Sequence, residues 1–394
     1  MNIREVGIFG YRSLRAIRFP VGGLTVFVGA NGVGKTNLYR GLQLLQASAA
    51  GTLAREIASE GGMESALWAG KRVVNKPARI KLQVGLGSET DRSGQSSFDY
   101  DVEVGLVHSY EVGIGIRQPT AAAFTLEPQV KEEMLVFHGG KRPLTVLDRK
   151  GPRTTAVDDQ GRKHALGTEL LASETALAAL RDPGRFGDID LVRKEMLDWR
   201  FYHDFRSDRD SLLRRPCLAV TTPTLASDGG DLAAVFATLV HIREDAAELY
   251  RAIDDAFPGA QLVVPGPERT ASFGLIQADY PKRVFEANEL SDGTLRYLAL
   301  CGALLGYRLP GFIALNEPEA SLHPDLLEPL ARLIISAAER TQVWVVTHSE
   351  RLADAFKTFG DVSPRTVVKR NGETWLEGLK LGGSFAQDES DDED

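Results

Sequence analysis

The chain has 394 residues, of which 43% are hydrophobic and 25% are charged, a composition typical of a globular protein with one or two sizeable cores. This composition excludes a disordered, collagen-like or membrane-bundle protein. Lys and Arg total 46 and Asp and Glu total 54, so the net charge is −8, and six of the acids lie in residues 388–394. Because the remaining body is nearly neutral, any DNA contact would need local basic clusters.

The cysteine pattern and the N-terminus bear on the expected location. Cys217 and Cys301 lie far apart and have no zinc-ligand spacing around them, so a reducing cytoplasm is the expected compartment. The N-terminus has no basic segment followed by an apolar one. The apolar stretch Tyr297–Tyr307 is shorter than the roughly 20 residues that span a bilayer, so no membrane association is expected.

The first half of the chain predicts strands, one helix and a meander. Ile3–Ile8 and Leu24–Val28 have the pattern of short strands, and a helix is predicted from Lys35 to about Ala49. Apolar residues then alternate from Arg79 to about Asp148, including the run Val112–Ile116, which predicts an antiparallel β meander. Residues 149–167 are polar and rich in Gly and Pro, typical of a loop with room for one more hairpin.

The second half predicts helices that alternate with strands. Helical patterns cover Ser173–Leu180, Ile189–Trp199, Asp231–Phe257, Leu295–Leu305 and Pro324–Arg340, and strands are predicted at Gly311–Asn316 and Thr341–Thr347. Alternation at both ends of the chain implies one parallel-type sheet whose halves are separated by an insertion. We therefore expect a core of residues 1–75 and 260–385, an insertion of residues 76–259, and a disordered acidic tail at 386–394.

One glycine-rich segment carries a strong nucleotide signal. Gly29–Thr36 matches the P-loop pattern GxxxxGK[ST] and follows a predicted strand at the start of a predicted helix. Its glycines allow backbone N–H groups to converge on phosphates, while Lys35 reaches the β- and γ-phosphates and Thr36 ligates Mg²⁺. The helix N-terminus adds its positive dipole end.

Three later segments place polar groups where predicted elements begin or end. The strand before Asn316 leads into Glu317, our candidate general base, and the last strand leads into His348. Ser291 opens an apolar helix, where it is either a simple N-cap or part of an anion site for a γ-phosphate.

Together these motifs resemble the ATP-binding cassette heads of the RecF, SMC and OLD group, and most closely the compact RecF-like predicted ATPases. The resemblance covers nearly the whole chain. It rests on Phe9–Ser13, Gly29–Asn37, the signature Leu290–Thr294, the Walker B region Ile313–Glu319, Ser321–Pro324 and Thr347–Ser349.

The resemblance implies an α/β P-loop NTPase of the ABC-ATPase type, with a mixed sheet flanked by helices, an antiparallel β meander and an inserted helical lobe. It implies ATP and Mg²⁺ as cofactors and a homodimer that forms around ATP. The nucleotide would contact one protomer through Arg12, Gly29, Asn31, Gly32, Val33, Gly34, Lys35, Thr36 and Asn37 and the other through Ser291 and Gly293. Glu317 would activate the attacking water, His348 would contact the γ-phosphate, and Thr36 and Asn316 would hold Mg²⁺.

Three departures from the family pattern qualify this expectation. Asn316 stands where the family usually has the Walker B Asp, and a neutral amide predicts weaker Mg²⁺ binding and slow turnover. The glutamine of the Q-loop has no clear counterpart and is left unassigned. About 250 residues separate Thr36 from Ser291, too few for the coiled-coil arms of SMC proteins and too many for a typical transporter cassette.

The biological output stays open between alternatives. The segment Trp199–Arg206 interleaves basic and aromatic residues, so it either grips DNA or is a packed helix end whose arginines pair with nearby aspartates. The expected role is an ATPase acting on DNA in repair, recombination or foreign-DNA defence. The alternative is an ATP-gated switch that controls a partner effector protein without DNA. A transporter subunit is less favoured, and an OLD-type nuclease is disfavoured because only 45 residues follow Ser349.

Overall fold

A computed structural model describes residues 1–71, 78–87, 97–105, 127–139, 142–166, 170–203, 205–243 and 246–385. The chain forms two compact units. Unit 1 consists of the described residues of Met1–Gly22, Ala30–Trp199 and Thr366–Asp394, and unit 2 consists of those of Gly23–Gly29 and Arg200–Arg365. The predicted acidic tail and the predicted strand at Val112–Ile116 lie outside the described residues.

The strands are numbered in chain order. They are β1 Asn2–Tyr11, β2 Leu14–Pro20, β3 Leu24–Val28, β4 Arg79–Gly87, β5 Ser97–Gly105, β6 Gln129–His138, β7 Leu144–Lys150, β8 Arg153–Val157, β9 Lys163–Leu166, β10 Arg200–Tyr202, β11 Cys217–Leu218, β12 Gln261–Val263, β13 Thr270–Ala271, β14 Gly274–Ile276, β15 Val284–Glu286, β16 Phe312–Asn316, β17 Gln342–Thr347, β18 Arg365–Arg370 and β19 Glu373–Leu376.

The helices are numbered in the same way. They are α1 Lys35–Ala50, α2 Leu53–Ser59, α3 Gly62–Ala66, α4 Ala176–Ala179, α5 Gly187–Asp198, α6 Leu232–Ala237, α7 Ala247–Ala256, α8 Asp292–Leu305, α9 Leu327–Ala338 and α10 Glu350–Gly360. A π-helical segment covers Thr238–Arg243, and 3₁₀ turns cover Leu212–Arg214, Ala287–Glu289 and Pro324–Leu326. Within the described ranges, no helix combines the length and apolar composition that crossing a bilayer requires.

Unit 1 is built on an antiparallel sheet in the order β2-β1-β4-β5-β6-β7-β8-β9. The predicted meander is therefore present over β4 to β7, and β8 and β9 form the additional hairpin. Helix α1 packs against β1 and β4. Gly41 permits the close approach, because a Cβ at this position would lie 2.3 Å from Ile8 Cδ1.

Unit 2 contains a parallel sheet in which β10, β16, β17 and β3 are neighbours in that order. Strand β3 comes from the start of the chain and β16 and β17 from its last third, so the sheet joins the two ends as the alternation predicts. Every residue of β16 and β17 is buried, as expected for a parallel sheet covered on both faces. Helices α9 and α10 pack against β17.

The helical predictions between residues 173 and 257 are partly wrong. Only Ala176–Ala179 is helical in the first segment, whereas the predicted helix Asp231–Phe257 is present as α6, the π-helical segment Thr238–Arg243 and α7. The Thr238 hydroxyl donates to Ala234 O at 2.8 Å and accepts from Thr222 N at 2.9 Å. Such side-chain competition for backbone groups disturbs a regular helix, and local apolar periodicity does not reveal it.

The compact units divide the chain at different positions from the predicted core and insertion. Residues 200–259, which we assigned to the insertion, lie in the same unit as residues 260–365. The reason is that β10 pairs with β16 and that Tyr297 donates to Ala252 O, which ties α7 to α8. The assignment of these segments to an ATPase core and an insertion stays a prediction about function.

Candidate functional site

The P-loop begins where β3 ends and leads into α1. Gly34 is the N-cap of α1 and has a φ of 101°. Only glycine adopts this backbone conformation without strain. The Lys35 side chain is buried and its Nζ donates to Ala30 O at 3.0 Å. Asn31, Gly32 and Thr36 are exposed. This segment of unit 1 therefore presents a helix N-terminus and an exposed threonine to an incoming anion.

A chain of side-chain hydrogen bonds holds the P-loop in shape. Asn37 Nδ2 donates to Ser13 Oγ at 2.7 Å, Ser13 Oγ lies 2.6 Å from Thr374 Oγ1, and Thr374 Oγ1 donates to Val33 O at 2.6 Å. Asn37, predicted to contact nucleotide, thus makes its observed side-chain bond to Ser13. The sequence did not predict a role for Thr374, because it lies in β19, far from the P-loop in sequence, and is part of no local motif.

Arg12 is tied to a buried carboxylate. Its Nη2 lies 3.0 Å from Glu60 Oε2, which also accepts from the Tyr11 hydroxyl at 2.7 Å. Arg40 Nε lies 3.3 Å from the other oxygen of Glu60. Burial, and then the hydrogen bond to Glu60, raise the pKa of Tyr11 well above its usual value. The predicted phosphate contact of Arg12 stays a prediction. Glu60, the residue after α2, was missed because this part of the chain carries no nucleotide motif.

Within unit 2, three neighbouring parallel strands end at one sheet edge. The register pairs Val28 with Thr347 and Asn316 with Val346. Gly29, Glu317 and His348 each follow one of these strand ends, so the structure brings the first P-loop residue, the candidate base and the candidate switch histidine to the same edge. Polar groups at the carboxyl edge of a parallel sheet are the usual arrangement of a nucleotide site.

Glu317 has a left-handed backbone with a φ of 51°. This conformation costs a non-glycine residue about 1–2 kcal/mol, and it is held here by a bond from Glu317 N to Val346 O of 2.7 Å. The carboxylate is 36% exposed, and its Oε1 lies 3.6 Å from His348 Nδ1. The candidate base and the candidate switch histidine are therefore neighbours, and both are accessible.

Glu319 anchors the switch histidine and was not assigned a role from the sequence. Its Oε1 accepts from the Thr347 hydroxyl and from His348 N at 3.1 Å, and lies 3.2 Å from His348 Nδ1. The side chain is only 5% exposed. The sequence signal that could have found it is its place two residues beyond Glu317, on the turn that follows β16.

Asn316 occupies the end of β16 and is almost fully buried. Its Nδ2 lies 2.7 Å from His203 Nδ1, while its Oδ1 has no hydrogen-bond partner among the described residues. A small cavity of 20 Å³ is lined by His203, Arg296, Asn316 and Glu317. A buried carbonyl oxygen without a donor is available to accept from a ligand.

The signature segment of unit 2 starts helix α8. Ser291 is its N-cap, and its Oγ accepts from Thr294 N at 3.2 Å. The serine is exposed, so both readings of the sequence, the cap and the anion site, remain compatible with its position. A Cβ at Gly293 would lie 3.1 Å from Ser321 O, a tight contact that favours glycine.

Arg214 holds the signature segment in place. Its Nη1 donates to Asn288 O at 3.1 Å and to Leu290 O at 2.8 Å, and its Nη2 lies 2.6 Å from Asp292 Oδ1. The side chain is only 12% exposed. From the sequence, Arg214 follows the segment Trp199–Arg206 and shares its two interpretations, a DNA contact or a partner of local aspartates; the structure shows that it is committed to the backbone before α8 and to Asp292.

The other residues of the basic and aromatic segment are likewise engaged. Phe201, Tyr202 and Phe205 are buried, and the Tyr202 hydroxyl donates to Leu225 O at 2.8 Å. Arg206 pairs with Asp208 at 2.9 Å and Arg215 with Asp210 at 3.3 Å. Of the two interpretations of this segment, the packed aromatic one with locally paired arginines agrees with the observed contacts.

Three solved structures similar to this fold are heads of SMC proteins. The SMC head domain from Thermotoga maritima has 14% sequence identity and a TM-score of 0.50, covering 97% of this chain and 100% of that chain. The Smc head domain with an extended coiled coil bound to the C-terminal domain of ScpA, derived from Pyrococcus furiosus, has 14% identity and a TM-score of 0.51 over 99% of both chains. An SmcHead bound to the C-winged helix domain of ScpA has 15% identity and a TM-score of 0.50, covering 97% and 99%. The fold is therefore that of a P-loop ATPase head of the ABC, RecF and SMC type, which confirms the predicted fold class.

Residues 141–354, more than half of the chain, match the family described as "AAA domain, putative AbiEii toxin, Type IV TA system". The chain belongs to this ATPase family. The matched range includes the signature segment, the Walker B region and His348. It begins after the P-loop, so the P-loop is identified by its sequence motif and not by this match. Comparison with curated protein sequences finds no match.

Proposed function

We propose that the protein binds ATP and hydrolyses it slowly. The observation that carries this proposal is the sheet edge of unit 2, where Asn316 ends β16 and Gly29, Glu317 and His348 each follow one of three adjacent parallel strands. The P-loop continues from Gly29, so Lys35 and Thr36 lie only a few residues along the chain from this edge. Backbone N–H groups of Gly32, Val33 and Gly34 and the Lys35 ammonium bind the phosphates.

In this proposal Glu317 and His348 carry the reaction. Glu317 orients and deprotonates the water that attacks the γ-phosphate in line, and His348 hydrogen-bonds that phosphate as its charge redistributes. Their separation of 3.6 Å allows both to face one small group. Glu319 keeps His348 in position, because it accepts from the His348 backbone N–H at 3.1 Å.

The donor set fits a magnesium ion. The Asn316 Oδ1 is a buried acceptor without a partner among the described residues, and Thr36 offers a hydroxyl at the start of α1. Both are neutral oxygens, which Mg²⁺ accepts together with waters and phosphates. When bound, Mg²⁺ would neutralise the charge of the β- and γ-phosphates. The missing carboxylate at position 316 supports weak Mg²⁺ binding and slow turnover.

We further propose that ATP joins two copies of the chain head to tail. Ser291 is exposed at the N-terminus of the 14-residue helix α8, where free backbone N–H groups and the helix dipole favour an anion. A partner's γ-phosphate bound to Ser291 and Gly293 would complete the second half of each site. The resemblance of the sequence motifs to RecF and SMC heads implies this arrangement.

We propose one of two biological roles for the ATP cycle: action on DNA or control of an effector protein. Action on DNA follows from the resemblance to RecF-like ATPases. The alternative, a switch that controls an effector protein, is favoured by two observations: Arg206 and Arg215 are paired with local acids, and the family description refers to a toxin of a toxin–antitoxin system. A soluble cytoplasmic protein is proposed in either case.

The test is the solution mass of the wild type and of Glu317→Gln, each with and without ATP and Mg²⁺. Removing the base should trap the ATP-bound dimer, so we expect ATP to double the mass of Glu317→Gln. Lys35→Ala, which removes the phosphate-binding ammonium, is the matched control and should stay monomeric. An unchanged mass for Glu317→Gln at saturating ATP would refute the dimer.

A labelled DNA duplex added to the same samples separates the two outputs. Co-migration of the duplex with the ATP-bound dimer alone supports action on DNA. If ATP doubles the mass and the duplex stays free, the DNA proposal fails and the switch is retained.

A further inference from the structure

In the bond between His203 and Asn316, the amide nitrogen faces the imidazole. Asn316 Nδ2 lies 2.7 Å from His203 Nδ1. Since an amide nitrogen cannot accept a hydrogen bond, His203 Nδ1 is the acceptor and the ring proton resides on Nε2. The amide donor is thereby turned toward the imidazole, and Oδ1 is left on the opposite side without a donor.

The reverse orientation would have a different chemical consequence. With the amide turned over, Oδ1 would accept from a protonated Nδ1, and the NH₂ group would occupy the buried position of Oδ1. A cation cannot bind an NH₂ group, so only the observed orientation presents a metal-compatible oxygen. If residue 203 had an aromatic ring without a nitrogen acceptor, the Asn316 amide could adopt either orientation.

The sheet explains why His203 is in reach. Strand β10 pairs in parallel with β16, and the register sets Tyr202 beside Leu315. His203 and Asn316 are therefore the next pair at the same edge. The aromatic rings on either side of His203 are buried, namely those of Tyr202 and Phe205. The imidazole position thus comes from the backbone pairing.

We propose that His203 is a positioning residue that directs the Asn316 carbonyl oxygen toward Mg²⁺. The proposal rests on the proposed ATP and Mg²⁺ site. With the ring proton on Nε2, the amide satisfies the imidazole and still offers an oxygen. His203 and Asn316 act as one unit, in which the outer residue orients the ligand.

The experiment measures Mg²⁺ affinity directly. A fluorescent ATP analogue is bound to the wild type and to His203→Phe during a Mg²⁺ titration, and again in EDTA. We expect His203→Phe to raise the half-saturating Mg²⁺ concentration by about tenfold, the lower end of the effect of losing an outer-shell partner. Nucleotide affinity in EDTA should be unchanged, since His203 acts on the metal ligand alone.

Two further variants separate orientation from structural damage. His203→Asn retains an acceptor oxygen near the Nδ1 position and should restore Mg²⁺ affinity to within about threefold of the wild type. Tyr202→Phe removes the neighbouring hydroxyl and its bond to Leu225 O, so it should lower thermal stability and leave the Mg²⁺ midpoint unchanged. If His203→Phe does not fold, His203→Ala takes its place in the same comparison.

The outcomes distinguish this inference from the proposed function. If the wild type shows no Mg²⁺-dependent nucleotide binding, the proposed ATP site itself fails. If the wild type binds with Mg²⁺ and His203→Phe has the same midpoint, or loses affinity equally in EDTA, the positioning role is overturned. A Tyr202→Phe shift as large as that of His203→Phe would also overturn it.

Discussion

Glu319 shows how a residue outside any recognised catalytic role can organise the site. One of its oxygens accepts from the Thr347 hydroxyl and from the backbone of His348, and lies 3.2 Å from the imidazole Nδ1. The other oxygen is buried and has no hydrogen-bond partner among the described residues. Burying a carboxylate in this way is costly, and a purely structural residue could be replaced by an uncharged one. These contacts hold the backbone and the ring of His348, so we expect Glu319 to act through His348.

Replacing Glu319 with Ala should affect turnover more than stability. Two buried donors lose their acceptor, so we expect the free energy of unfolding to fall by about 1–3 kcal/mol in urea titrations. ATP hydrolysis should fall at least about tenfold, because His348 loses the group that holds its ring.

Thr347→Val is the matched control for this substitution. It removes one donor to Glu319, costs a similar amount of stability, and leaves Glu319 beside His348. Equal losses of turnover in the two variants would show that His348 does not depend on Glu319.

At the scale of elements, the P-loop depends on a strand that is distant in sequence. Thr374 of β19 donates to Val33 O at 2.6 Å and contacts Ser13, which accepts from Asn37. Gly34 fits between these groups only because it has no side chain. A Cβ there would lie 2.0 Å from Thr374 Oγ1 and 2.5 Å from Ser13 Oγ.

Gly34→Ala should therefore destabilise the loop through two separable effects. The left-handed φ of 101° costs an alanine about 1–2 kcal/mol, and the collision with Thr374 adds to that cost. Gly32 also has a positive φ, of 80°, but a Cβ added there would have no neighbouring atom within 4 Å. Gly32→Ala should therefore lose only the stability that the backbone conformation costs. Thermal unfolding of Gly34→Ala, Thr374→Ala and the double variant measures the difference. Additive losses in the double variant would rule out the collision.

The elements divide into those that local sequence predicts and those it does not. Strands β3, β16 and β17 and helices α1 and α8 have strong apolar patterns and clear starting residues, so they were predicted nearly to their ends. Strand β10 has three residues, and its existence depends on pairing with β16, more than 100 residues away. No local pattern carries that information.

The candidate site divides in the same way. The P-loop, Glu317, His348 and Ser291 lie in contiguous motifs and were predicted from the sequence. Glu60, His203, Arg214 and Thr374 were missed as supporting residues, because each acts across the fold on a motif that lies far away in sequence. Long-range pairing, which residue types alone do not encode locally, determines these contacts.

At the scale of the whole molecule, the ATPase motifs are distributed over both units. Ala30–Thr36 belong to unit 1, whereas Gly29, the signature segment, Glu317 and His348 belong to unit 2. In the proposed head-to-tail dimer, both copies contribute to each site, since each nucleotide needs the P-loop of one copy and Ser291 of the other. A symmetric dimer of this kind has two equivalent composite sites.

Mixing two inactive variants tests whether each nucleotide site is shared between two copies. Lys35→Ala should fail because it cannot bind phosphate, and Ser291→Arg should bind ATP and fail to dimerise, because a bulky side chain blocks the exposed start of α8. In a mixed dimer one site combines two intact halves and the other combines two defective halves. Equimolar mixing should thus restore ATP hydrolysis to at most about half of the wild-type rate per dimer. Each variant alone should stay inactive, and circular dichroism should show both folded. If a mixed dimer forms and is no more active than the separate variants, the nucleotide is not shared between copies.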